Sequence, residues 1–310
     1  MREKLTPYLS KLSHKSGISK QYSHNIKEKN FGHFNDPLME DAHEMVKGLV
    51  HKYKNRALIK VSYLCAAHCR FCTRIRQIGN PKGTLQKVDI ENIVCYLKEH
   101  PEIEDVILSG GDPFLTPKIT ESLLKNINKI DSVKVIRIGT RLPLQSPESF
   151  ERNSIGQLLD TINRISIEKP FYILLHVEHP DELTSEAITS LKLIKQKTAT
   201  ILLSQTVFLK GINIDFDTLY SLFTKLYFSG ITPYYIYHCD SVNGLEQFVG
   251  NIEEEKEIMR RLRDTLSGIA YPTFVADLEN EYGKYPFDLE IIKTTANSVI
   301  KNTNIFVLDK

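Results

Sequence analysis

Three cysteines fall within eight residues of the 310-residue chain, in VSYLCAAHCRFCTRIR, as Cys65, Cys69 and Cys72. Only five cysteines occur in all, so this is a concentration. Sulfur donors on one short loop, directly after an apolar β-branched run, can converge on a metal or a metal cluster. Zinc would need a fourth ligand, and His68, although adjacent, is poorly placed in so tight a loop to complete a tetrahedron. Three thiolates on an iron-sulfur cluster instead leave one iron open to a substrate or cofactor. The spacing favours the cluster, with zinc and simple packing still open. An odd cysteine count without a secretion signal argues against a disulfide framework. Cys95, in IENIVCYLKEH, lies among helix-spaced apolar residues and is expected in the core; Cys239 is undecided. A second stretch, LSGGDPF at 108–114, has glycines that let the backbone approach a ligand closely and offers Ser109 and Asp112 as polar contacts. By itself it reads as a turn.

The elements that must position these residues follow from hydrophobic periodicity. Runs rich in β-branched and aromatic residues predict strands over Ala57–Leu64, Asp105–Ser109, Lys134–Gly139, Tyr172–Val177, Thr200–Val207 and Pro233–His238. Between them, VDIENIVCYLKEH, TESLLKNINKI, IGQLLDTINRI, ELTSEAITSLKLIK and FDTLYSLFTKLYFSG space apolar residues by three and four, and the last ends on Gly230. Six βα units are too few for an eight-stranded barrel and suit an open, partial (β/α)6 TIM-like barrel, with a doubly wound sheet as the alternative. A charged helix at 253–268 and an extra strand in AYPTFVADL follow. The expected organisation is an N-terminal cap, polar and loosely helical, over 1–55, the barrel over 56–245 and a C-terminal extension over 246–310.

Apolar residues make up 41% and charged residues 25%, which fits a globular chain. A formal net charge of +2 is too small to support nucleic-acid or membrane partners. The start lacks a sustained apolar core, and no run approaches the ~20 apolar residues of a membrane span. A cytoplasmic location is expected.

With Phe71 before its last cysteine, the triplet resembles the signature of the radical S-adenosylmethionine (SAM) superfamily. The resemblance implies a 4Fe-4S cluster held by Cys65, Cys69 and Cys72, whose open iron chelates the amino and carboxylate groups of SAM. Reductive cleavage of SAM then yields a 5′-deoxyadenosyl radical. In that setting LSGGDPF is similar to the superfamily's motif for the SAM amino group, which assigns Ser109, Gly110, Gly111 and Asp112 to cofactor binding.

From about residue 36 to about residue 287 the chain further resembles the lysine 2,3-aminomutase family. The resemblance is carried by DPLMED, HKYKNRAL, CRFCTRIR, LSGGDPF, IRIGTRLP, HVEHPDELT, SQTVFLKGIN, PYYIYHCDSVNGLEQF, PTFVADL and GKYP. It implies an isomerase that uses pyridoxal phosphate (PLP) together with SAM. Lys284 would form the internal aldimine, and the chemistry needs such a residue because an imine nitrogen, unlike a bare amine, can bridge adjacent carbons next to a radical. Arg56 matches a contact to the PLP phosphate and Gln205 another cofactor contact. Lys52 stands where the best-known members carry arginine, keeping the charge without the fork. His176, His179 and Arg141 would line the SAM side. Arg74 matches the residue that binds the substrate carboxylate, a task suited to a guanidinium fork. Asp36 matches an acidic residue near that group. Asp240 and Asp277 match the two carboxylates that hold the ε-ammonium of lysine. Without the resemblance, Lys284 reads as a solvated surface lysine and the two aspartates as turn or strand-end residues.

The expected function is therefore a 2,3-aminomutase that moves the α-amino group of L-lysine to C3, giving β-lysine. Arginine, or a lysyl group of elongation factor P, are the alternative substrates; two acids in the pocket disfavour glutamate. A zinc-binding or redox protein without radical chemistry is the reading from another class. The partners implied are a small amino acid and an electron donor such as flavodoxin or ferredoxin, with a homodimer as the compatible assembly. Two departures from the family stand out. No cysteine follows Cys239, so the family's C-terminal zinc site and zinc-linked tetramer are expected to be missing, and ENEYGK keeps only Gly283 of the glycine-rich loop before the PLP lysine.

Overall fold

The structure is a computed structural model and describes residues 3–24, 36–240, 242, 244–278 and 283–288. Two short helices come first, α1 (Pro7–Lys11), capped by the Thr6 hydroxyl, and α2 (Ser16–Tyr22). An antiparallel hairpin follows, β1 (Glu44–Val46) and β2 (Leu49–Tyr53). The loop between them turns on Gly48 at φ 85, a backbone state that glycine adopts without penalty. Residues 1–55 were expected to be loosely helical, and this hairpin departs from that. Its strands are too short for an alternation signal, and β2 gains its second partner when it pairs antiparallel with the first barrel strand.

The barrel strands are β3 (Arg56–Ser62), β4 (Asp105–Gly110), β5 (Val135–Thr140), β6 (Phe171–His176), β7 (Ile201–Val207), β8 (Thr232–Tyr237) and β9 (Thr273–Leu278). Each pairs in parallel with the next. A last strand, β10 (Gly283–Pro286), pairs antiparallel with β9. Strand order runs from β1 to β10 without reversal. A doubly wound sheet reverses order at its switch point, so the partial barrel is the architecture. All six strands expected from the sequence are present with ends shifted by at most two residues. The strand expected in AYPTFVADL is β9, the seventh parallel one.

Crossovers run through α3 (Lys87–Glu99), α4 (Pro117–Ile127), α5 (Leu142–Gln145) with α6 (Asn153–Glu168), α7 (Ser185–Lys197), α8 (Phe216–Phe228) and α9 (Ile252–Thr265). Alternation along the strands sorts the side chains. Ala57, Ile59 and Val61 of β3, Val106 and Leu108 of β4, and Ile136 and Ile138 of β5 point outward into one apolar core shared with the helices. In α3 the buried stripe is Ile90, Ile93 and Leu97. Cys95 lies about 200° round from Ile93 on a 3.6-residue helix, so it is exposed, with its thiol 3.2 Å from Glu99. The expectation that Cys95 belongs to the core is corrected accordingly. Cys239, just after β8, is buried. Among the described residues, no helix is long and apolar enough to cross a membrane.

Lys60 is the exception on β3. It points inward with 1% of its side chain exposed, and its ammonium lies 2.5 Å from Glu44 of β1. Burial alone would make this lysine easier to deprotonate, but the hydrogen bond and charge of Glu44 more than offset it and raise its pKa. The pair thus fastens the N-terminal hairpin to the barrel. Removing one partner of such a pair leaves an uncompensated buried charge. Glu44→Ala is therefore expected to destabilise the fold by about 3 kcal/mol, the low end for a buried pair because Glu44 is partly solvated. Lys60→Met with Glu44→Leu should cost far less. Urea titrations of both variants test this, and an unchanged midpoint for Glu44→Ala would mean that the ammonium finds another partner.

Candidate active site

The inward positions at the C-terminal ends of the strands enclose a cavity of about 800 Å³. Barrel folds concentrate their chemistry at this end. Ser109 on β4, Gly139 on β5, His176 on β6, Gln205 and Val207 on β7, Tyr235 and Tyr237 on β8, and Asp277 on β9 all line it. They share a wall because each is set by the same alternation.

Cys65, Cys69 and Cys72 follow β3 and line the same cavity. The two glycines after β4 hold this loop in place. Gly111 N–H donates to the Ser62 carbonyl (2.5 Å) and Asp112 N–H to the Leu64 carbonyl (2.8 Å). A Cβ on Gly111 would stand 2.2 Å from the Leu64 oxygen, and one on Gly110, which has φ 101, would stand 2.5 Å from the Ser62 oxygen. The close approach predicted for these glycines is thus to the chain's own backbone, where the cysteine loop leaves β3.

Asp112 lines the cavity as well and is engaged by the chain itself. Its buried carboxylate accepts from Phe114 N–H (3.0 Å), Thr140 Oγ1 (2.9 Å), Arg141 N–H (2.8 Å) and Leu142 N–H (2.9 Å). Burial pushes its pKa up while these donors pull it down. With four donors engaged, Asp112 ties the end of β4 to the end of β5 and has little capacity left for a ligand's ammonium.

Arg141 emerges from that knot. Its guanidinium donates to the Cys69 sulfur (3.0 Å) and to Gln21 Oε1 (2.8 Å), and it pairs with Glu182. Gln145 also donates to Cys69, at 3.4 Å. Leu9, Ile18 and Tyr22 of the two N-terminal helices pack with Ala67 against the back of the cysteine loop. Burial raises all three thiols, and Cys65 and Cys72 are raised further by neighbouring cysteine sulfurs. Among the described residues no three His, Cys, Asp or Glu side chains already stand as a closed metal cage. A bound cation would relieve both the burial and the mutual repulsion that disfavour thiolates here, and sulfur ligands bind as thiolates, so three cysteines on one cavity wall fit an iron-sulfur cluster.

On the β3 side, Arg56 stacks on Tyr53, its guanidinium carbon 4.2 Å from the ring centroid, and both line the cavity. Lys52 lines it too and donates to the Leu38 carbonyl (3.2 Å). Arg74 is gripped by Glu40, its Nε 2.8 Å and its Nη2 2.5 Å from the carboxylate oxygens, and its Nη1 reaches Ser109 Oγ at 3.3 Å. Burial opposes both charges, yet the pair lowers the Glu40 pKa and raises that of Arg74.

Across the cavity, Lys284 and Asp277 are cross-strand partners on β10 and β9, with Nζ 2.5 Å from Oδ2. Lys284 Nζ also lies 5.0 Å from the centroid of the Tyr237 ring. Gln205 donates to the Tyr237 hydroxyl at 2.8 Å. Asp240, just past β8, has its pKa pushed up to about 7 by burial and by Asp277, against the pull of Lys284 and His238. Gly283, at φ 67, lies close to Tyr53, where an added Cβ would come within 3.2 Å of the ring. The Tyr53 ring at the end of β2 therefore lies close to the backbone of β10.

Two expected residues are absent from the cavity wall. His179 turns away, its ring packed over Gly17 of α2, and it accepts from Asp181 N–H (3.2 Å) as the cap of the next turn. His176 alone of the pair faces the cavity, because inward positions alternate and His179 lies beyond the strand end. Asp36 pairs instead with Arg76 (3.3 Å) and accepts from Asp41 N–H (2.8 Å). The acid beside Arg74 is Glu40, four residues later in the same DPLMED stretch. Sequence reading also missed Gln145, which carries no local signal, and Tyr237, which the alternation in PYYIY does indicate.

The profile of the radical SAM superfamily matches residues 59–222. L-lysine 2,3-aminomutase of Fusobacterium nucleatum is 34% identical over 293 residues, 92% of this chain and 67% of that protein. The enzyme of the same name from Escherichia coli is 33% identical over 269 residues, 84% of this chain and 74% of that one. The Clostridium subterminale enzyme is 33% identical over 252 residues, 81% of this chain and 59% of that protein. The chain thus spans about two thirds of the length of the curated relatives it matches. Among solved structures, a radical SAM methyltransferase from Sphaerobacter thermophilus superposes with a TM-score of 0.53 at 16% identity, covering 75% of this chain and 69% of that one, a likeness of fold.

Gly111→Ala tests the backbone crossing. Because its Cβ has no room beside Leu64, the variant is expected to keep its far-UV circular dichroism yet lose most of its cluster absorbance and bound iron after anaerobic reconstitution. Full iron loading of a folded variant would mean that the loop can retreat without displacing its sulfurs.

Proposed function

The chain belongs to the lysine 2,3-aminomutase family of the radical SAM superfamily, and from that premise we propose that it is a PLP-dependent aminomutase converting L-lysine to β-lysine. One observation carries the reading. A cation, Arg74, and a pair of acids, Asp240 and Asp277, line one cavity together with three cysteines and an amine, Lys284. An amino acid with a cationic side chain has the matching charges at its two ends.

Cys65, Cys69 and Cys72 would hold the cluster, leaving an iron for SAM on the side of Ser109, His176 and Arg141. Lys284 would hold PLP through its amine, with Arg56 toward the phosphate and Gln205 on the wall between. Bound there, cluster and SAM would supply a carbon radical by one-electron cleavage, and PLP would supply the aldehyde that lets the substrate's own α-amino nitrogen move between neighbouring carbons. Arg74 fixes the substrate carboxylate, and Asp240 with Asp277 fixes its distal cation. Pinning both ends sets which carbon faces the SAM side, which is how positioning lowers the barrier. Lys284 stays beside Asp277, where its ammonium is held when the amine is not bonded to cofactor. An electron donor of the flavodoxin or ferredoxin type, a cytoplasmic setting and a homodimer complete the proposal.

The direct test is an anaerobic competition among L-lysine, L-arginine and L-glutamate in one tube, with protein reconstituted with iron, sulfide and PLP and supplied with SAM and reductant. β-Lysine should dominate by mass spectrometry. Cleavage of SAM without isomerisation of any free amino acid would redirect the search to a lysyl group on a larger partner. Asp277→Lys should cut lysine isomerisation far more than lysine-independent SAM cleavage.

The raised pKa of Asp240 adds a pH dependence. Below about 7 the carboxyl is protonated, so binding a cation beside it must expel a proton. Lysine affinity is then expected to rise up to ~tenfold per pH unit below 7 and to level off above. Asp240→Asn should flatten that slope in binding titrations. A slope equal to that of the unmodified protein would place the titrating group elsewhere.

A further inference from the structure

The grip on Arg74 comes from a residue to which neither the sequence reading nor the family resemblance gives a role. We infer that Glu40 is the positioning residue of the anion site: it holds Arg74 side-on so that the end-on edge of the guanidinium faces the cavity and takes a carboxylate. This rests on the proposed function, in which Arg74 receives the substrate carboxylate.

A guanidinium has two edges able to make paired hydrogen bonds to a carboxylate: Nε with one Nη, and the two Nη together. Glu40 occupies the first, with Nε 2.8 and 3.1 Å and Nη2 2.5 Å from its oxygens. One Nη1 hydrogen goes to Ser109 Oγ at 3.3 Å. The edge formed by Nη1 and Nη2 together is not engaged by Glu40. Ser109 is inward on β4, so the contact orients Arg74 against the barrel wall.

Glu40 is itself 6% exposed and held from several sides. Its segment is strapped to the cysteine loop by charge: Asp36 and Asp41 both pair with Arg76, at 3.3 and 2.7 Å, and Gln77 donates to Asp41 at 3.3 Å. Arg74 is two residues past Cys72, on a loop with little regular structure. Without Glu40 its long side chain would be free to turn along that loop, and its charge would be buried without a partner. The anion site is therefore built by two segments, one supplying the cation and the other its orientation.

The test uses the reconstituted holoenzyme with SAM and measures binding of L-lysine and of L-lysinamide, which lacks the carboxylate. Glu40→Gln keeps the shape and one acceptor but loses the charge-assisted grip. It is expected to weaken L-lysine binding and raise its KM by ~tenfold, with kcat within about twofold, iron content unchanged and lysinamide binding unmoved. Glu40→Asp, which keeps the charge on a shorter arm, should recover part of the loss. A structural role alone would weaken both ligands alike, and that result, or no change in either, would overturn the inference. If the unmodified protein binds lysine no better than lysinamide, the assignment of Arg74 fails instead. If it binds neither, the proposed function fails and this inference with it.

Discussion

The buried carboxylate of Asp112 is the point on which the rest of the site depends. It lies where β4 ends and gathers donors from its own turn and from the start of the segment after β5. A buried acid is costly unless its acceptors are filled, and here they are filled by groups from two strands. The arrangement sets the direction in which Arg141 leaves the chain, and Arg141 in turn reaches Cys69, Gln21 and Glu182. Through that one side chain, the mouth of the barrel, the cysteine loop and the N-terminal helices are tied to one another. The backbone bonds from Gly111 and Asp112 to Ser62 and Leu64 secure the same loop from the other side.

A second regularity is that four of the cations around the cavity come with acids supplied by another segment. Arg74 has Glu40, Lys284 has Asp277, Arg141 has Glu182 and Arg137 has Asp105 at 2.8 Å. Pairing of this kind makes burial of charge tolerable and fixes long side chains in single orientations. The pairs differ in what they leave available. Arg141 and Glu182 are both nearly enclosed, so that pair is structural. Lys284 is about one third exposed beside Asp277, so under the proposed function a substrate cation would exchange with this lysine at one carboxylate and keep the local charge balanced.

Much of this was legible before any coordinates. Sulfur spacing in CAAHCRFC pointed to a cluster because three donors on so short a loop are close whatever the fold around them. Strand positions were legible because a chain buried on both faces writes β-branched and aromatic runs. Helix positions followed from three-four spacing with ends off by up to three residues, and Gly230, at φ 68, ends α8 as its position suggested. Cys95 was misplaced because apolar neighbours within a helix do not share a face; the 100° step per residue put it on the wet side. The β1–β2 hairpin was missed because two strands of three and five residues carry too few alternations to register.

By itself, then, the sequence determined the local elements: a cysteine loop able to hold a cluster, a glycine turn after the second predicted strand, and the barrel strands with the helices between them. Only the tertiary structure decided which partner each charge has. Asp36 and Glu40 stand four residues apart in one acidic stretch, and nothing local says that Glu40 meets Arg74 while Asp36 meets Arg76. His176 and His179 are three apart, yet one faces the cavity and the other packs on α2. Asp112 reads as a ligand contact in the sequence, and only the fold brings four of the chain's own donors to it. The reason is the same in each case. Hydrogen bonds and ion pairs are short and directional, so their pairing depends on ångström placement of segments far apart in the chain, which residue types and spacing do not encode.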